Sequence, residues 1–116
     1  MWDHADAVSI IKSPASKEML VIIAGSDDGL IIADKSGKIR KQLMLGHMQT
    51  VTIGKLMSDS ESYQIATNTY WGNPGIVYIL DLDGNVLNRF QPSIYGSPLK
   101  PVNWDGTGQE LLLLSA

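Results

Sequence analysis

The sequence predicts an all-β antiparallel fold, and three observations carry that expectation. Short apolar runs alternate with turn formers along nearly the whole chain. β-branched and aromatic residues dominate the runs, and no long stretch has the period of a helix. A pattern of strands and turns recurs at a fixed spacing.

The elements follow in order. MLVIIA (19–24) ends at GSDDG, and LIIA (30–33) ends at DKSG. KIRKQLML (38–45) and QTVTIG (49–54) come next, then YQIATNTY (63–70) and the turn GNPG. IVYILD (76–81) leads through LDGN into VLNRFQ (86–91). Asp27-Asp28-Gly29, Ser36-Gly37, Asn73-Pro74-Gly75 and Asp83-Gly84-Asn85 supply the positive or preset φ that tight turns need.

The runs repeat. Glu18, Gln64 and Glu110 lie 46 residues apart, each ahead of an apolar strand. IIADKSGKI (31–39) matches YILDLDGNV (78–86) at a spacing of 47, with Asp34 over Asp81 and Gly37 over Gly84. A period in the mid-forties with four short strands per unit predicts β-propeller blades. One blade covers about 49–91, the unit before it about 8–45, and a half blade about 99–116. A propeller of about 4–8 blades needs roughly 180 residues or more at this period. The chain therefore reads as one incomplete ring: a piece of a longer propeller, or a unit completed by other copies. A small β-sandwich of meanders is the alternative. ELLLLS (110–115) reads as an interior strand covered by its neighbours.

Composition narrows the partners. The chain has 116 residues, 44% of them apolar and 18% charged, with a net charge of −3 and no cysteine. That is a globular composition with no disulfide framework and no thiolate metal site. Without a basic cluster, no nucleic-acid partner is expected. No membrane span is expected either, because Ser26-Asp27-Asp28-Gly29 breaks the most apolar region well short of about 20 residues. The start, MWDHADAVSI, lacks the charge pattern of a signal peptide.

Four stretches bear chemistry. In NWDGTGQE (103–110), Asn103, Asp105, Thr107 and Glu110 set oxygen ligands among glycines, as a calcium loop requires. The same residues also suit a β-turn with Asp105 bonding its own backbone. The loop resembles the Asp-x-Asn-Gly-Asp-Gly loops of integrin-type propeller repeats. In TYWGNPGIVY (69–78), Trp71 and Asn73 suit a sugar site, the ring stacking and the amide reading hydroxyls; Trp71 equally suits packing between blades. His47 falls on a connection between blades, as a base, a ligand or a plain loop residue. One blade later, Tyr95, Ser97 and Lys100 occupy the corresponding connection and are expected at the same mouth. His4, between Asp3 and Asp6, reads as an exposed tail before a metal site.

The span Leu45–Ser115, through WGNPGIVYILD and YGSPLKPVNWDGTGQELLLLS, resembles part of the β-propeller of rhamnogalacturonan lyases and their uncharacterised bacterial relatives. The resemblance implies a secreted or cell-surface, calcium-dependent parent that cleaves the pectin backbone by β-elimination. Calcium would hold the uronate carboxylate while a base takes the neighbouring proton. His47 is the candidate base on that reading, and the piece alone is expected to be inactive. The alternative is a non-enzymatic propeller that binds glycan or protein.

Overall fold

A computed structural model describes residues 4–70, 74–96 and 98–114. Among them the chain forms ten strands and no helix: β1 (Ala7–Lys12), β2 (Met19–Ala24), β3 (Leu30–Asp34), β4 (Ile39–Leu43), β5 (His47–Gly54), β6 (Gln64–Tyr70), β7 (Gly75–Leu80), β8 (Val86–Ser93), β9 (Leu99–Val102) and β10 (Leu111–Leu114). All strand pairs are antiparallel. They build two four-stranded meanders, β1-β2-β3-β4 and β5-β6-β7-β8, and the hairpin β9-β10. None of the three sheets closes on itself.

The turn landmark repeats bond for bond. The Asp34 carboxylate accepts the amides of Ser36 at 2.9 Å and Lys38 at 3.0 Å. The Asp81 carboxylate accepts those of Asp83 at 3.0 Å and Asn85 at 2.8 Å. Gly37 and Gly84 both hold φ near 88°, the left-handed geometry that a hairpin of this length requires. Each turn is followed by a register slip, opposite Ile32/Ala33 and opposite Ile79/Leu80. Asp is needed there because a short carboxylate can close its own turn.

The sheets stack in chain order. Strand alternation gives each sheet a front face, toward the next sheet, and a back face. The front face of β1–β4 carries Leu20, Ile22, Ala24, Leu30 and Ile32. It packs on Met48, Val51, Ile65, Tyr78 and Leu80 from the back face of β5–β8. The front face of β5–β8 carries Ala66, Val77 and Ile79, which pack on Leu99, Leu112 and Leu114 of the hairpin. Each fully buried Ile or Leu of these layers contributes roughly 1.5–3 kcal/mol.

Facing tests the repeat. Leu20 and Ala66, 46 residues apart, both look forward, as do Ile32 and Ile79, 47 apart. The 46-residue step from Ala66 reaches Leu112, which instead looks back onto β5–β8. The slip is a single residue, enough to exchange the faces of a strand. Leu111 and Leu113 consequently point outward, 58% and 60% exposed. Among the described residues β10 pairs with β9, and one of its side chains in two stands in the open.

Candidate functional site

The antiparallel order fixes two ends of the stack. The upper end gathers the starts of the odd-numbered strands and the ends of the even-numbered ones; the lower end gathers the rest. At the upper end the turn between β2 and β3 reaches across to the next sheet. Ser26 and Met48 exchange two backbone hydrogen bonds, at 2.9 and 3.0 Å. Ser26 holds φ 53° and is fully buried. A short polar side chain tolerates that left-handed geometry.

This bridge sets Asp27 beside His47. The imidazole Nδ1 lies 2.6 Å from the Asp27 carboxylate, and the Gln49 amide nitrogen lies 3.1 Å from Nε2. Gln49 is the extra residue of a β-bulge, since the β5–β6 ladder slips between Met48 and Thr50. The bulge lets two side chains near the start of one strand meet. With Nδ1–H donating to Asp27 and Nε2 accepting from Gln49, both ring nitrogens are engaged. Protonating Nε2 requires Gln49 to turn its amide oxygen toward the ring. The His47 side chain is 14% exposed and that of Asp27 81%. His47 thus belongs to β5, paired with Tyr70, rather than to the connection before it.

A second cluster adjoins. The Ser26 hydroxyl donates to Asp6 and lies 3.2 Å from His4 Nε2. The same nitrogen is 3.1 Å from the Asp6 carboxylate. Ser26 and Asp6 meet the imidazole at the same ring nitrogen. His4 is exposed, as expected, and its ring nitrogen joins this hydrogen-bonded group.

The other expected site residues divide between the ends. Gly96 presses against Tyr70, where a Cβ would meet the Tyr70 ring and the Thr69 carbonyl. That contact keeps the neighbouring Tyr95, which is exposed, at the upper end with His47. Burial raises the Tyr70 phenol above its ordinary pKa. Lys100 is the second residue of β9, opposite Leu113. Trp71, Asn73 and Ser97 lie outside the described residues.

The 103–110 loop lies at the lower end. Asp105 accepts the Thr107 hydroxyl at 2.7 Å and the Thr107 amide at 3.1 Å. These bonds, the hydroxyl first, hold its carboxyl below the usual range. The Asn103 side chain accepts the Gly108 amide at 3.3 Å. Glu110 turns to β5 instead, its carboxylate accepting the Lys55 amide at 2.9 Å and its own amide donating to the Lys55 carbonyl at 2.8 Å. Each of the four expected calcium ligands engages a protein partner, and the loop takes the turn geometry. Among the described residues no three His, Asp or Glu side chains converge as a metal centre.

Sequence reasoning missed the Asp27–His47 pair. Twenty residues separate the two, and only sheet stacking joins them. GSDDG carried a turn signal and nothing more. No protein-family model matches the chain, and no curated protein or solved structure is significantly similar to it.

Proposed function

We propose that the chain is a stretch of β-propeller that binds carbohydrate at its upper end and carries out no elimination by itself. The stacked four-stranded meanders, alike in order and in their Asp-x-x-Gly turns, support the reading as blades. The observation that carries the binding reading is the Asp27–His47–Gln49 group. It is a fixed set of hydrogen-bonding side chains at a sheet end, with the exposed ring of Tyr95 at the same end. Fixed polar groups beside an aromatic surface suit a sugar, whose hydroxyls alternate with an apolar face.

The lyase suggested by the family resemblance fits less well. Elimination needs a cation and a base at one uronate. The 103–110 loop and His47 stand at opposite ends of the stack, and both nitrogens of His47 are engaged. A rhamnogalacturonan lyase-like parent would have to draw that chemistry from other residues. A pectin-type polysaccharide remains the first ligand to try.

Affinity electrophoresis in gels containing soluble polysaccharides, rhamnogalacturonan among them, tests the proposal. The chain should be retarded by at least one gel. Tyr95→Ala should lose the retardation, while Trp104→Ala, exposed at the lower end, should keep it. No retardation in any gel, or retardation that survives Tyr95→Ala, would overturn it. Release of unsaturated uronate by the isolated chain would restore the lyase reading.

A further inference from the structure

The back face of β1–β4 is apolar, buried at Ile31 and Ala33 in its centre and exposed toward its two edge strands. Val8 and Ile10 on β1 and Ile39 on β4 are exposed there. Val21, Ile23, Ile31, Ala33 and Ile39 line a concavity of about 330 Å³. The internal repeat identifies what covers such a face. Val21 occupies the place of Thr67 one unit on, and Ile31 and Ala33 those of Tyr78 and Leu80. Thr67, Tyr78 and Leu80 are buried. The layer over Tyr78 and Leu80 is the front face of the preceding sheet. The element that fits the back face of β1–β4 is therefore another front face.

The described residues carry one at the other end of the stack. The outward side of the β9–β10 hairpin presents Leu111 and Leu113, with Val102 and the exposed Lys100 as their cross-strand partners and no sheet beyond them among the described residues. We propose that the back face of β1–β4 receives the hairpin of a second copy, so that chains associate head to tail. The junction repeats the front-to-back stacking already made between β1–β4 and β5–β8. It joins two different surfaces, so it builds a ring or an open row rather than a symmetric pair. The inference rests on the stacking order and not on the carbohydrate reading. Loss of sugar binding leaves it standing, and failure of association leaves the sugar reading standing.

Sedimentation velocity on the full chain and two surface variants tests it. Ile10→Lys blocks the back face and Leu113→Lys the hairpin; both side chains are exposed, so both variants should keep the far-ultraviolet spectrum of the fold. The unaltered chain should sediment as multimers that grow with concentration. Each variant alone should be monomeric. An equimolar mixture of the two should give dimers, because each variant supplies the surface that the other lacks. A monomeric unaltered chain, or a mixture that stays monomeric, would overturn the proposal. So would a Leu113→Lys chain that still dimerises, which would indicate pairing of back face with back face.

Discussion

Gly29 and Gly106 hold nearly the same positive φ, 78° and 76°, for different reasons. At Gly29 a Cβ would drive into the backbone carbonyl of Leu43, whereas at Gly106 it would meet open space. Gly106→Ala should cost only the left-handed conformation, about 1 kcal/mol. Gly29→Ala adds a clash with backbone that cannot swing aside, and should cost about 3 kcal/mol or more. Denaturant midpoints of the two variants measure the difference directly. Comparable midpoints would mean that β4 does not press on the β2–β3 turn.

Two turn aspartates give the stability a signature in acid. The Ser36 hydroxyl and the Thr107 hydroxyl are the leading causes that hold Asp34 and Asp105 below the usual carboxyl range. A depressed folded-state pKa stabilises the fold above the unfolded value, about 3.9 for aspartate. That contribution fades as pH falls through the folded values. Unfolding midpoints followed below about pH 4 should therefore decline. The double variant Asp34→Asn, Asp105→Asn should start lower and decline less. An equally steep decline in the double variant would place the acid sensitivity elsewhere.

Among elements, the aligned positions Glu18, Gln64 and Glu110 do three different jobs. Glu18 pairs with Arg40 at 2.6 Å on the surface. Gln64 is buried, and its side-chain oxygen accepts the amides of Leu56 and Met57 at 2.8 and 3.0 Å. Glu110 ties the hairpin to Lys55. Gln64→Ala strands two amides beneath the surface and should cost about 2 kcal/mol. Glu18→Ala should leave the unfolding midpoint nearly unchanged, because exposed ion pairs add little. Thermal melts of the two variants check the contrast. A matching loss in both would contradict the burial of Gln64.

The same elements mark what the sequence made legible. The apolar runs became strands because β-branched residues between turn formers have few other ways to bury. The Asp-x-x-Gly turns were legible because each carboxylate acts within its own turn. The facing of β10 was not. Four leucines in a row carry no alternation, so nothing local separates an inward from an outward residue. The Asp27–His47 pair was hidden for a related reason: it depends on one sheet lying against the next, and neither partner signals the other along the chain.

At the scale of the whole molecule the described residues form a stack of sheets that all face the same way. That order places His47 and Tyr95 at one end and the 103–110 loop at the other. Among the described residues it also leaves exposed apolar side chains on the outer face of the first sheet and of the hairpin. Both the sugar reading and the head-to-tail inference draw on this arrangement, and its least regular member is the hairpin. Methyl nuclear Overhauser spectroscopy on leucine-, isoleucine- and valine-labelled chain tests it most directly. The Leu112 and Leu114 methyls should show contacts to Val77 and Ile79, with none from Leu111 or Leu113. Contacts to Val77 and Ile79 from Leu111 and Leu113 instead, or from none of the four, would contradict the stacked order.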